Sequence, residues 1–259
     1  MIRNRRPKVL LGIPTYDGKN YCLTRFVRGI HALNKDGFQV RVLFVDNTAD
    51  GGKNAKMIEA VSGYTCHHLD VSHCKTINEK LAMSHERLRQ AAIAMKADYL
   101  FHVESDLLLD PMTLHALYTM NAPIATSGYS IGTGGHRYPL ISNVADATPK
   151  AAWPFFIDTC NLLMYHRALK SRYGTGMNMG LGVMLIRKEV FLQIPFRAQT
   201  KPVFPDSTWS AECSHRGYFP KYNLSVFAHH LNDLGWGADH EYNGRKFSQS
   251  FYKTINHDT

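Results

Sequence analysis

Three short apolar runs each stop at a polar cluster, and that alternation leaves few folds open to the chain. Lys8 to Ile13 (KVLLGI) runs into Pro14-Thr15-Tyr16-Asp17-Gly18. Val40 to Val45 (VRVLFV) is closed by Asp46-Asn47-Thr48, and Tyr99 to Val103 by Glu104-Ser105-Asp106. Each run has the length and composition of a buried strand. Between the first two, Leu23, Phe26, Val27, Ile30 and Leu33 recur at helical spacing, and the helix is expected to end near Asp36-Gly37. A long helix is expected from about Thr76 to Met95. Strand and helix in alternation predict an α/β fold, with a parallel sheet covered by helices on both faces. Ligands of such sheets sit at the carboxyl ends of the strands, which is where the three polar clusters fall.

The rest of the chain is less regular. Asp110-Pro111 suits a helix start, because Asp caps free N–H groups and Pro fits the first turn. Ile124 to Tyr129 reads as a strand, and Gly128 to Pro154 is rich in turn residues. Val183 to Ile186 reads as a strand with a short helix through Val190 and Phe191. Asp206 to His215 reads as a helix, and Leu224 to Ala228 as a strand entering His229-His230. There is no repeat and no linker, so one domain over residues 1–259 is expected. Hydrophobic residues make up 44% of the chain, enough for a sizeable core, and the 20% that are charged argue against disorder.

No apolar run approaches the roughly 20 residues that span a bilayer, and the basic start lacks a signal peptide's apolar core. The five cysteines include no Cys-x-x-Cys pair, which fits reduced thiols and a cytoplasmic protein. Lys and Arg total 30 against 21 for Asp and Glu, a net charge of +9 that suits polyanions: nucleotide phosphates, nucleic acid or an anionic membrane face. Cys66-His67-His68-Leu69-Asp70-Val71-Ser72-His73-Cys74 holds zinc-type ligands without zinc-type spacing. A strand and loop is the expected structure there.

Glu104-Ser105-Asp106 carries the clearest chemistry. Two carboxylates two residues apart at a strand end suit a hard divalent cation, Mg²⁺ or Mn²⁺; an acidic turn without metal has the same composition. Here the chain begins to resemble a family. Asp98 to Pro111 (DYLFHVESDLLLDP) is similar to the "DYxLFxDxDxxLxP" stretch of GT-A glycosyltransferases, family 2 in particular. Gly12-Ile13-Pro14-Thr15-Tyr16 resembles the family's first strand and loop against the nucleotide base, and Val45 to Asp50 its "VDNxSxD" stretch. The helix with Arg87 and Arg89 resembles the "ARN" region. Gly174 to Arg187 resembles "GxGxxLIRR", and its glycines do not have the dinucleotide G-x-G-x-x-G spacing. Val226 to Leu231 resembles the strand whose terminal His often completes the metal site. Glu104 stands where the family carries the first Asp of Asp-x-Asp, and Pro205 where it carries the Glu of "ED".

The resemblance spans about Val9 to Leu231. It implies the GT-A fold, a Rossmann-like nucleotide-binding mixed sheet flanked by helices, with a donor half over about 8–130 and an acceptor half over about 131–259. It implies sugar transfer from a nucleotide sugar, UDP being the commonest carrier, onto an acceptor hydroxyl with inversion. Metal ligands would be Asp106 and His230 or His229, for Mn²⁺ or Mg²⁺. Donor contacts would be Pro14, Thr15, Tyr16, Asp46, Arg87, Glu104, Ser105 and Gly182. Asp206 falls in the register of the catalytic base, although an Asp in a first helical turn equally serves as a cap. The acceptor stays open between nucleic acid, such as a hydroxymethylated DNA base, and a glycan. Two rival readings remain, a sugar-nucleotide nucleotidyltransferase and an inactive nucleotide- or glycan-binding module. The loop after the first strand lacks the glycine-rich basic pattern of the former.

Overall fold

The computed structural model describes residues 5–133, 136–140, 180–198, 205–231, 240–242 and 245–247. Its order begins β1 (Lys8–Thr15), a 3-10 turn (Asp17–Cys22), α1 (Leu23–Ala32), β2 (Gln39–Asp46), α2 (Lys53–Ser62), β3 (Thr65–His68) and α3 (Ile77–Ala94). It continues with β4 (Tyr99–Val103), β5 (Leu107–Leu108), α4 (Thr113–Thr119), β6 (Ile124–Thr133), β7 (His136–Leu140), β8 (Val183–Arg187) and α5 (Lys188–Gln193). Last come α6 (Pro205–His215), β9 (Pro220–His230) and a hairpin of β10 (His240–Tyr242) and β11 (Arg245–Phe247).

The sheet is mixed, with strand order β3-β2-β1-β4-β8-β6-β9-β5 and β7 paired to β6. Its first half is parallel: β1 lies between β2 and β4, with Thr15 opposite Asp46 and Gly12 opposite His102. Parallel register sends the carboxyl ends of all three strands to one edge, so the polar clusters that follow them converge there. β8 then pairs antiparallel with β4 and with β6. This antiparallel insertion separates the sheet from an all-parallel dinucleotide-binding sheet.

Alternation along the strands splits the core in two. Val9, Leu11, Ile13, Phe101 and Val103 point to one side, against Phe26, Ile30 and Ile58. Leu10, Leu43, Val45 and Leu100 point to the other, against Leu88 and Ala92 of α3 and Phe191 beyond β8. Thr76 starts α3 with a capping box: its hydroxyl accepts from Glu79 N at 3.2 Å, and Glu79 reaches back to Thr76 N at 3.2 Å.

Most expected elements are present, with local corrections. α1 stops at Ala32 rather than near Asp36, where Lys35 Nζ reaches back to donate to the carbonyl of Ile30 at 2.6 Å. Asp110-Pro111 forms a turn, not a helix start. Asp110 accepts from Met112 N at 2.7 Å, and α4 begins at Thr113. The turn-rich stretch beyond Leu140, and Gly174 to Met179, lie outside the described residues.

Gly12 sits where α3 presses on the sheet. A Cβ there would lie 3.0 Å from Leu88 Cδ2 and 3.2 Å from Leu100 Cδ1. Gly12→Val is expected to overpack this contact and cost about 1–3 kcal/mol, seen as a lower urea midpoint at unchanged slope. An unshifted midpoint would show that α3 moves off the sheet freely.

Candidate active site

The three strand-end clusters meet in one cavity of about 200 Å³. Pro14, Thr15 and Tyr16 line it from the end of β1, Asn47 from the end of β2, and Glu104, Ser105 and Asp106 from the end of β4. The turn after β1 adds Lys19, and one face of α3 adds Ile77, Leu81 and His85 at four-residue spacing.

Asp106 is 1% exposed. Its carboxylate forms an ion pair with Lys19 Nζ, and its carbonyl accepts from Leu231 N at 2.5 Å. Burial alone would lower the lysine's pKa, but Asp106 and Glu104 outweigh it and raise it, so Lys19 is firmly cationic. Neighbouring contacts pin the same turn: Cys22 Sγ reaches Ser105 O at 3.6 Å, and the Tyr21 hydroxyl donates to Leu231 O. Glu104 N donates to Gly182 O at 2.8 Å.

The acidic wall carries oxygen donors of the kind a hard divalent cation takes. Asp106 and Glu104 offer hard oxygen donors on one cavity, and a cationic ammonium already sits against Asp106. The end of β9 runs alongside: Leu107 pairs with His230 and Leu108 with His229, so the backbone brings both expected histidines next to the acidic loop.

Three expected donor contacts are placed elsewhere. Asp46 is 0% exposed, and its Oδ1 is committed to the loop, accepting from Thr48 Oγ1 at 2.6 Å and Asn54 Nδ2 at 2.8 Å. The next residue, Asn47, faces the cavity instead, because successive side chains leaving a strand point to opposite sides. Arg87 lines a separate, larger groove of about 610 Å³ together with Lys75, Glu79, Glu86 and Phe196. Gly182 serves packing: a Cβ there would lie 2.5 Å from Tyr129 and 2.7 Å from Leu107. Its carbonyl still holds the Glu104 backbone.

Lys19 and His85 belong to the cavity and are not among the donor contacts expected from the sequence. A lone cation in the loop after β1 was the available signal for Lys19. For His85 the signal was the Ile77, Leu81, His85 spacing on a helix that ends at the acidic strand.

Among the described residues, Asp46, Asp50 and His68 are the group of three that places ligand-type atoms within 4.8 Å of one another. Asp50 there accepts from the N–H groups of Gly52, Lys53 and Asn54 at the head of α2. Cys66 and Cys74 join no such group among the described residues; burial pushes the Cys66 thiol up to about 12.

Asp206 lies in the first turn of α6, half-buried, with Oδ1 accepting from Ser207 N at 2.7 Å. Burial raises its pKa against the opposing pull of that hydrogen bond. A carboxyl whose folded pKa is raised favours the fold at low pH and loses that contribution as pH rises through the folded value. Asp206→Asn is therefore expected to melt at or above the wild-type temperature at pH 7, with the difference vanishing below about pH 4. A lower melting temperature at pH 7 would instead make Asp206 a helix cap.

No protein-family model matches the chain, and no curated protein matches it in sequence. Solved structures do. A mycobacterial protein superposes with a TM-score of 0.55 at 14% identity, over 87% of this chain and 68% of its own. The mannosyltransferase PcManGT from Pyrobaculum calidifontis, in complex with GDP-Man and Mn2+, superposes with a TM-score of 0.55 at 15% identity, over 90% of this chain and 59% of its own. S. aureus TarS 1-349 in complex with UDP-GlcNAc gives 0.53 at 13% identity, over 91% of this chain and 61% of its own. The chain thus has the α/β fold of these glycosyltransferases, as its motifs led one to expect, and spans about 60% of their length.

Proposed function

We propose that this chain transfers a sugar from a nucleoside diphosphate sugar to an acceptor hydroxyl. One observation carries the proposal: Thr15 and Tyr16, Asn47, and the Glu104-Ser105-Asp106 wall line a single cavity at the strand ends of a fold shared with nucleotide-sugar enzymes. In this reading the base and ribose lie by Thr15, Tyr16 and Asn47. The diphosphate lies by Lys19, whose ammonium neutralises part of its charge. A divalent cation held by Asp106, with Glu104 alongside and His230 or His229 from the end of β9, supplies Lewis-acid stabilisation of the leaving diphosphate when bound.

The reaction needs one displacement. The acceptor oxygen attacks the anomeric carbon, the bond from that carbon to the diphosphate oxygen breaks, and the acceptor proton passes to Asp206. Inversion follows from attack opposite the leaving group. A base with a raised pKa is better matched to a hydroxyl proton than an ordinary carboxylate. Uridine is the base proposed for the donor. The acceptor is proposed as a hydroxymethylated base in DNA or a glycan; the net charge of +9 favours the polyanion.

Asp106→Ala is expected to abolish metal-dependent hydrolysis of UDP-sugars, and excess EDTA to do the same to the wild type. Full turnover in either case would reject the metal role, and no turnover by wild type with any nucleotide sugar would favour the inactive binding module. Asp206→Asn should lower kcat for transfer by about 10²–10⁴-fold and leave donor affinity unchanged. Near-normal transfer by the folded variant would remove Asp206 from the mechanism.

A further inference from the structure

His85 lines the donor cavity and pairs behind it with a second buried histidine, His102, and the sugar-transfer chemistry uses neither. His85 Nδ1 lies 2.8 Å from His102 Nε2, and His102 Nδ1 lies 2.6 Å from Leu181 O. His102 is 0% and His85 4% exposed, and Phe196 packs on His85 with ring centroids 5.4 Å apart. His85 lines the cavity.

The proton positions follow from the carbonyl. Leu181 O can only accept, so His102 Nδ1 carries its proton. A neutral imidazole carries one proton, which leaves His102 Nε2 as an acceptor. His85 Nδ1 must then donate to it, and His85 Nε2 is left with a lone pair. The two rings are buried against each other, so an added proton would set an imidazolium out of water beside a second imidazole, and the pair stays neutral. Among the described residues no hydrogen bond uses His85 Nε2.

Next to it, Asn47 is oriented by the same logic. Ser84 Oγ donates to Lys80 O at 3.0 Å, so it accepts from Asn47 Nδ2 at 2.9 Å, and Asn47 Oδ1 remains to accept from a ligand. Neither group has to reorganise on binding.

We propose that His102, anchored on Leu181 O, locks His85 in the Nδ1–H tautomer, so that His85 Nε2 is a fixed acceptor reading an N–H or O–H donor on the nucleoside of the bound nucleotide. His85 is then a specificity residue and His102 a positioning residue. The assignment of a nucleoside as the ligand rests on the proposed sugar transfer; the tautomer does not.

Two measurements test it. The first is a long-range ¹H–¹⁵N spectrum of wild-type protein with ¹⁵N-labelled histidine, assigned with His85→Phe. His85 Nε2 should appear unprotonated, and His102→Phe should shift it toward the protonated type. A protonated Nε2 in the wild type overturns the inference without reference to any ligand. The second is calorimetric titration with UDP and GDP in Mn²⁺ buffer, followed by analogues of whichever binds: the ring N-methylated base, which lacks the imide or amide N–H, and the 2′- and 3′-deoxyribose forms. One analogue should bind about tenfold more weakly to the wild type, and His85→Phe should bind that analogue and the parent equally. The analogue concerned tells base N–H from ribose hydroxyl. A parent nucleotide that binds wild type and His85→Phe equally, or a wild type indifferent to all analogues, overturns the reading role alone. A wild type that binds neither nucleotide overturns the sugar-transfer proposal, and the ligand assigned to His85 with it.

Discussion

A buried carboxylate, 1% exposed as in Asp106, needs a compensating charge, and Lys19 supplies one. That ion pair draws the turn after β1 onto the loop after β4. Cys22 on Ser105, and Tyr21 on the carbonyl of Leu231, tighten the same junction. The end of β9 joins through Leu231 N on the Asp106 carbonyl. Segments separated by roughly a hundred residues each are thus closed around one acidic group. Leaving the buried carboxylate without its cation would be costly, so this junction gives the cavity its shape as well as its charge.

Helix α3 does several jobs on different faces. Ile77, Leu81 and His85 look into the cavity. Leu88 and Ala92 fill the core above β1 and β4. Arg87 and Glu79 look into the larger groove. Arg89 turns away from both, bound to Glu86 at 2.7 Å and to the carbonyl of Phe191 at 2.6 Å, which ties the helix to α5. Rotation of α3 by one residue would replace His85 in the cavity by a neighbour, so the seating of Leu88 over Gly12 also sets the chemistry of the cavity floor.

The buried histidines follow from the same geometry. His102 leaves β4 on the α3 side because Phe101 and Val103 take the other face. At that point β1 has Gly12 opposite, whose missing side chain leaves room for α3 to come close. An apolar residue would fill the space of His102 with less desolvation cost; the imidazole adds a hydrogen-bonded path from Leu181 to the cavity.

The sequence by itself determined the long apolar strands, the order of the motifs and the acidic wall. Strand alternation and apolar runs are local properties, legible over a few residues. It could not show α2, whose buried face is Asn54, Ala55, Ile58 and Ser62 rather than an apolar stripe, and whose first N–H groups are capped by Asp50 ahead of a left-handed Gly52 at φ 86°. Nor could it choose between Asp46 and Asn47. Both are polar residues at a strand end, and the pleat of β2 together with the hydrogen bonds of Thr48 and Asn54 turns one inward and the other to the cavity. Lys19, His85 and His102 acquire their roles only through partners far along the chain, at Asp106, at one another and at Leu181. Those pairings depend on which strands lie side by side and on how a helix is seated over them, and the sheet is assembled from segments that no local pattern connects.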